Sequence, residues 1–114
     1  MSKGSKAKRI ETILALFVEK YPAAFFPKNS PHIKPLRIGI FTRITGDNRE
    51  FSRALIGVVL DRYTSTDEYL RATLMCPDRV ELDGTPFEPV RDCDRTFAIK
   101  QLTSRQEKRL KVAA

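Results

Sequence analysis

The stretch TSTDEYL, residues 64–70, marks the point where one predicted helix ends and the next begins. Ser65 and Glu68 stand three residues apart, which is the spacing of a capping box at a helix N-terminus. Asp67 and Glu68 also place negative charge in the first turn, where the helix dipole favours it. The sequence therefore predicts a short helix that begins here, directly after a longer one.

The longer helix is predicted to begin after Ser52, a residue type that caps helices well. Apolar side chains then follow at helical spacing as far as Tyr63. Gly57 is the weak position, since glycine inside a helix costs about 1 kcal/mol relative to alanine. We expect Gly57 to mark a place where the helix packs closely against a neighbour.

The amino-terminal part of the chain combines a basic arm with an amphipathic helix. Residues 1–9 carry four basic side chains among Ser and Gly, a composition that predicts a mobile arm. From Ile10 to Tyr21, apolar residues recur with the spacing of one helix face, and Pro22 ends the pattern. The folded domain is therefore predicted to span residues 10–114.

Two segments in the middle of the chain are less regular. Residues 23–35 contain three prolines, whose fixed φ angles predict an ordered loop, with Phe25 and Phe26 attaching it to the core. Residues 36–44 fit either a strand or a short helix that stops at Gly46. Of the two, we favour the helix.

The last third of the chain predicts a small hairpin followed by a helix. Asp83 and Gly84 lie within residues 79–90, and this residue pair supplies the positive φ angles of a tight two-residue turn. Asp92 or Asp94 is predicted to cap the last helix, which carries basic residues near its carboxyl end. The whole pattern predicts one compact domain that is mainly α with a small β-hairpin, an α+β fold.

Charge and composition favour a polyanionic partner in the cytoplasm. Lys and Arg number 21 against 14 Asp and Glu, a net charge of +7 that suits nucleic acid. The apolar run at residues 13–18 is far shorter than the ~20 residues of a membrane span, so we expect no membrane association. The two cysteines form no Cys-x-x-Cys pair, so we expect no metal site and a reducing compartment.

No residue pattern points to catalysis. His32 lies in the proline-rich loop without a Ser or Cys partner at a recognisable spacing. The acidic residues mostly neighbour basic ones, so no acid and base pair stands out. Cys76 and Cys93 lack an activating base in their local sequence. We therefore expect no enzyme activity, no cofactor and no small-molecule substrate.

Basic residues occur at the edges of the structured segments, at Lys34, Arg37, Arg53 and Arg79. Such residues can converge on one face and bind phosphates, although a scattered, solvated surface explains any one of them better.

The hydroxyl residues 64–66 and Tyr69 form the most informative cluster. Hydroxyls and free N–H groups at a helix start can hold a phosphate or a terminal ribose. The local sequence alone favours a simpler interpretation, a helix cap whose tyrosine packs in the core.

Four separated motifs resemble the ProQ/FinO domain of bacterial RNA chaperones. They are KPLRIGIF at residues 34–41, LDRYTS at 60–65, Tyr69-Leu70 and RVELDG at 79–84, in the order and spacing of that family. The resemblance runs from about Ile10 to the last helix. It implies a mainly helical domain with a small hairpin that binds structured RNA, especially intrinsic terminator hairpins followed by a single-stranded 3′ tail, without catalysis.

The resemblance also implies where the RNA binds. In the family a concave basic face holds the duplex stem, and a pocket at a helix N-terminus receives the 3′ end. Because the major groove of A-form RNA is too narrow for side chains to read, we expect weak sequence preference. The positions that match this RNA-binding surface are Lys34, Arg37, Arg53, Thr64, Ser65, Thr66, Tyr69 and Arg79.

The chain departs from the family pattern at Gly57, where better-known members can contribute an arginine, and the segment from Ile44 to Phe51 looks shorter. The leading hypothesis is nevertheless a monomeric RNA chaperone in post-transcriptional regulation, with small RNAs and mRNA 3′ ends as partners. The first alternative is a general nucleic-acid-binding or ribosome-associated structural protein without 3′-end selectivity. The second is an RNA-processing enzyme.

Overall fold

The computed structural model describes residues 3–113, and the side chains of residues 6–112. Within this range the chain is mainly helical with one small antiparallel hairpin, which confirms the predicted α+β class. The elements in chain order are α1 (Lys3–Lys20), α2 (Ile40–Asp47), α3 (Arg53–Thr64), α4 (Asp67–Met75), β1 (Asp78–Val80), β2 (Pro86–Pro89) and α5 (Asp92–Ala113).

The core forms where α1 and α3 meet the loop that follows α1. Phe25 of this loop is fully buried, and its ring centroid lies 5.4 Å from that of Phe17 and 4.9 Å from that of Tyr63. Tilted aromatic pairs at such distances add to the energy gained by burial. Phe26 is partly buried beside them, so the two phenylalanines attach the loop to the core as predicted.

Helix α1 begins at Lys3, whereas the sequence pattern placed its start at Ile10. Residues 3–9 are therefore helical, because an amphipathic helix that is already nucleated extends readily through Lys, Ala and Arg. The side chains of Lys6, Lys8 and Arg9 are exposed. Met1 and Ser2 of the predicted basic arm lie outside the described residues, and the mobility of the arm stays a prediction.

The ambiguous segment contains a short strand-like contact followed by the favoured helix. Leu36 forms an isolated parallel bridge to Val80, and α2 begins only at Ile40, after Gly39 with a φ of +88°. Gly46 does not stop this helix, which ends at Asp47.

Buried Asn48 holds the end of α2 against the end of α1. Its side-chain amide donates to the carbonyl oxygen of Ile44 at 2.8 Å and to the hydroxyl of Tyr21 at 3.0 Å. Lys20 donates to the Asn48 side-chain oxygen at 2.9 Å. These bonds satisfy a polar side chain that would otherwise be costly to bury.

Helix α3 begins as predicted, since the Ser52 hydroxyl accepts the N–H of Leu55 at 3.1 Å. The expectation of close packing at Gly57 is wrong. A Cβ there would lie 3.7 Å from the Phe41 ring, which is an ordinary van der Waals distance.

The predicted cap of the next helix is displaced by one residue. Ser65 is instead the C-cap of α3, and its N–H donates to the carbonyl oxygen of Asp61. Thr66 has the extended backbone that an N-cap requires, and its hydroxyl accepts the N–H of Tyr69 at 3.2 Å. Helix α4 therefore begins one residue later than the capping-box spacing predicts.

The hairpin pairs β1 with β2, with a bulge between Arg79 and Val80. Residues 81–85 join the strands, so the predicted two-residue turn is wrong, although Gly84 has the expected positive φ of +85°. A Cβ on Gly84 would lie 2.8 Å from the Cβ of Ala23 and 2.9 Å from its carbonyl oxygen. Position 84 therefore requires glycine for two reasons, the positive φ angle and the close approach of Ala23.

Helix α5 begins at Asp92, so Asp92 and Asp94 both lie in its first turn rather than one of them preceding it as the cap. Over residues 3–113, none of the helices combines the length and the apolar character of a membrane span.

Candidate nucleic-acid interface

Tyr69 and Arg79 both bind the main chain of Leu36. The Leu36 N–H donates to the Tyr69 hydroxyl at 2.8 Å, and Arg79 Nη1 donates to the Leu36 carbonyl oxygen at 2.9 Å. The tyrosine lies on α4 and the arginine on β1, so two separate elements hold the segment before α2. This contact joins three of the four sequence motifs in one place.

Arg79 is a largely buried cation with an acidic partner on α5. Its Nη2 lies 2.9 Å from the Asp94 carboxylate, and only 12% of the arginine side chain is exposed. Hydrogen bonds from Arg91 and then from Arg79 lower the pKa of the Asp94 carboxyl to about 2. The Tyr69 hydroxyl is buried beside them, and this burial raises its pKa. The charge of Arg79 is therefore fixed in position rather than mobile.

Arg37 lies before α2 and is held against the hairpin in a similar way. Its Nη1 lies 3.2 Å from Glu81 Oε2, and its guanidinium lies 4.1 Å from the centre of the Phe87 ring. The backbone N–H of Arg37 donates to the Val80 carbonyl oxygen at 2.9 Å. In the described part of the chain, the buried Nε atoms of Arg37 and Arg79 have no hydrogen-bond acceptor. The two arginines thus lie on β1 and on the segment bonded to it, and each is anchored by an acidic partner.

The other basic candidates are more exposed. Lys34 lies in the loop before Leu36, and the Arg53 guanidinium at the start of α3 lies 5.2 Å from the Phe41 ring centre. Among the described residues, no hydrogen bond or ion pair joins either of them to Arg37, Tyr69 or Arg79. The structure therefore joins three of the predicted residues through bonds at Leu36, whereas Lys34 and Arg53 are exposed and take no part in those bonds.

The three hydroxyl residues at the α3–α4 junction have different environments. Thr64 Oγ1 donates to the Leu60 carbonyl oxygen at 2.9 Å, and Thr66 Oγ1 donates to that of Tyr63 at 3.0 Å while it caps α4. Ser65 is exposed between them. The junction therefore presents the Ser65 hydroxyl to solvent, one helical turn before Tyr69.

An apolar groove adjoins the same junction. It has a volume of about 420 Å³ and lies between α1, the loop after α1 and the start of α4, with Thr66 on its wall. Leu14, Phe26 and Ile33 contribute apolar surface to it. Nothing in the sequence pattern predicts this groove, because its walls come from distant segments.

No local sequence pattern predicts a cluster of three arginines around Asp67. Arg105 Nη1 and Arg109 Nη2 bind its carboxylate at 2.8 Å and 2.6 Å, and Arg71 Nη2 lies 3.9 Å away. Hydrogen bonds from Arg109 and then from Arg105 hold the pKa of the Asp67 carboxyl below its usual value. The spacing of Arg105 and Arg109 indicates one helix face, yet their partner is 38 and 42 residues away.

The sequence matches a known protein family and several known proteins. The model of the ProQ/FINO family matches residues 7–114. The chain is 31% identical to the RNA chaperone ProQ of Aeromonas salmonicida (strain A449), over 95% of this chain and 58% of the relative. It is 32% identical to the RNA chaperone ProQ of Shewanella oneidensis, over 95% of this chain and 51% of the relative. The chain thus spans about half the length of these relatives.

Solved structures share the fold. A crystal structure of a FinO-like RNA chaperone from Neisseria meningitidis MC58 has a TM-score of 0.66 at 24% identity, covering 81% of this chain and 92% of that one. A solution structure of a ProQ homolog from Legionella pneumophila has a TM-score of 0.69 at 24% identity, covering 93% of this chain and 87% of that one.

Proposed function

Because the chain belongs to the ProQ/FinO family, we propose that it is an RNA chaperone that binds structured RNA without catalysing a reaction on it. Its preferred ligand is an intrinsic terminator hairpin followed by a single-stranded 3′ tail. Its role is post-transcriptional regulation by small RNAs. The observation that carries the proposal is the contact of Tyr69 and Arg79 with Leu36, which places Arg37 and Arg79 together on a chain with a net charge of +7.

Fixed cations suit the duplex stem. A protein reads A-form RNA through phosphates, 2′-hydroxyls and shape, so the positions of its donors matter more than their number. Glu81 holds Arg37 and Asp94 holds Arg79, and the part of each arginine side chain that stays exposed is available to a phosphate. Exposed Lys34 and Arg53 extend the surface and add attraction that depends on salt.

The α3–α4 junction suits the free 3′ end. The first N–H groups of α4 and the exposed Ser65 hydroxyl provide hydrogen bonds to a terminal ribose or phosphate. Thr64 and Thr66 fix the shape of the junction through their bonds to the main chain. Tyr69 acts through position, because its buried hydroxyl holds the Leu36 segment against α4.

The deciding experiment is a binding titration at fixed physiological salt with one terminator hairpin. The free 3′ uridine tail is compared with the same RNA carrying a 3′ phosphate, and with the hairpin without its tail. We expect blocking or removing the end to weaken binding roughly tenfold or more, the effect of losing a desolvated polar contact. Equal binding of the three RNAs would contradict end recognition and would favour a general nucleic-acid-binding or ribosome-associated protein.

We also propose that the protein acts as a monomer in the cytoplasm, on small RNAs and mRNA 3′ ends. The free thiols of Cys76 and Cys93 agree with a reducing compartment. Sedimentation with and without a terminator RNA tests the first point, since a complex with a single copy of the chain is expected.

A further inference from the structure

Three arginines surround Asp67 where α4 and α5 meet. Arg71 comes from α4 itself, and Arg105 and Arg109 come from α5. The side chain of Asp67 is 18% exposed, whereas those of Arg71 and Arg109 are 60% and 63% exposed. We call this set the Asp67 cluster, and it carries three positive charges and one negative charge.

Stabilisation of the fold does not account for the composition of the Asp67 cluster. Helices α4 and α5 already pack against each other, and an ion pair made by a side chain as exposed as that of Arg71, 3.9 Å from Asp67, adds little to stability. The second and third guanidinium groups repel the first, and one carboxylate leaves two positive charges uncompensated. A polyanion would relieve that repulsion.

We propose that Arg71, Arg105 and Arg109 form a phosphate clamp that binds the single-stranded 3′ tail of the RNA, with Asp67 as the residue that positions them. This inference rests on the proposed function, because it assumes that the 3′ end reaches the start of α4.

The position of the Asp67 cluster supports the assignment to the tail. Asp67 directly follows the N-cap Thr66, and it is only two residues from exposed Ser65. A strand whose last ribose lies at this junction therefore has its preceding phosphates within reach of arginine side chains held beside the first turn of α4. Each guanidinium has five N–H donors, and Arg105 and Arg109 each use one of them on Asp67.

The test compares two double variants on the same helix. Arg105→Gln with Arg109→Gln removes two charges from the Asp67 cluster. Lys100→Gln with Lys111→Gln removes two exposed charges from the opposite face of α5, as the helical spacing requires. Binding to the tailed and the tail-less hairpin is titrated between about 50 and 200 mM salt, where phosphate contacts dominate the salt dependence.

For the Arg105 and Arg109 variant we expect roughly tenfold weaker binding to the tailed hairpin and a salt slope lower by about 1.4, the value for two single-strand phosphates. Its affinity for the tail-less hairpin should equal that of the Lys100→Gln with Lys111→Gln variant. The Arg105→Lys with Arg109→Lys variant keeps both charges, so its salt slope should be unchanged. This control separates the loss of charge from a disturbed fold.

The outcomes separate this inference from the function it rests on. If the unmodified protein does not distinguish the tailed hairpin from the tail-less one, the proposed function fails. If it does, and the glutamine variants of the two faces bind the tailed hairpin equally, only the phosphate clamp is overturned. A uniform loss on both hairpins also overturns it, because the cluster would then contact the stem.

Discussion

The Tyr69 hydroxyl accepts the backbone N–H of Leu36 at 2.8 Å, so a side chain of α4 fixes the main chain 33 residues earlier. The Arg37 backbone follows immediately, and Arg79 holds the Leu36 carbonyl oxygen from the other side. The buried Tyr69 hydroxyl is therefore one of the bonds that set the geometry of the predicted stem-binding surface.

Replacing Tyr69 by phenylalanine tests this dependence. The change leaves the Leu36 N–H buried without its acceptor, which costs about 1–3 kcal/mol in the free energy of unfolding. We expect a lower midpoint in urea and weaker binding of a terminator hairpin, because Arg37 and Arg79 lose their fixed spacing.

Tyr63→Phe provides the matched control. The Tyr63 hydroxyl also accepts a backbone N–H, that of Phe26 at 3.2 Å, but away from Leu36. This variant should lose a similar amount of stability and keep its RNA affinity. If both variants bind RNA equally well under folding conditions, the Tyr69 bond does not organise the interface.

The pKa of Asp94 predicts a defined dependence of stability on pH. Its pKa is lowered to about 2, so the bonds to Arg91 and Arg79 stabilise the fold above the unfolded pKa, about 4. This contribution is lost as the pH falls from about 4 through 2, because protonation then removes the charge in the folded state. Asp94→Asn should cost on the order of 1 kcal/mol at pH 7.

The pH prediction is checked by urea unfolding of the unmodified protein and of Asp94→Asn at several pH values. Their difference in unfolding free energy should shrink as the pH falls from 4 to 2. A constant difference across this range would show that the lost stability comes from packing, not from the charge.

Gly84 and Gly39 allow backbone strain to be separated from a steric clash. Both have positive φ angles, +85° and +88°, but only at Gly84 would a Cβ meet other backbone atoms, those of Ala23 at 2.9 Å. Gly39→Ala should cost about 1 kcal/mol from the φ angle alone. Gly84→Ala should cost about 3 kcal/mol, because a clash in a packed region adds to the same strain. Equal losses in thermal unfolding would mean that Ala23 moves aside freely.

Replacing Gly57 by alanine should stabilise the protein. It lies inside α3, and an added Cβ would meet the Phe41 ring at 3.7 Å without overlap. Gly57→Ala should therefore raise the unfolding free energy by about 1 kcal/mol, the gain in helix propensity. Gly46→Ala, in the open last turn of α2, serves as a comparison without a new contact. A loss of stability confined to Gly57→Ala would show that Phe41 needs the space.

The helices and the hairpin could be predicted from the sequence because caps, apolar spacing and turn residues act over a few positions. Ser52 and Gly84 have the roles that their local patterns predict. The sequence pattern places the start of α1 too late, because the apolar spacing does not extend to the basic turns before Ile10. The cap lies at Thr66 rather than at Ser65; both residues carry a hydroxyl, and the spacing alone does not show which one accepts the helix N–H.

The surroundings of the site residues depend on contacts between residues that are far apart in the sequence. The sequence identifies Arg37 and Arg79 as basic candidates, but only the fold brings Glu81 and Asp94 beside these largely buried side chains. The partners of Asp67 are likewise on another helix. Such contacts have no period along the chain, so only the tertiary structure identifies them.

The bridge between Leu36 and Val80 has a consequence for the order of folding. The nearby bond from Arg79 to Leu36 closes a segment of the chain across 43 residues, and such long-range closure costs more entropy than the local turns of α3 and α4. The arginines of the interface reach their final spacing only when this closure is complete. We therefore expect a chain emerging from the ribosome to lack the proposed stem-binding surface until β1 has joined Leu36, so that the proposed RNA ligand would bind the folded domain rather than its precursors.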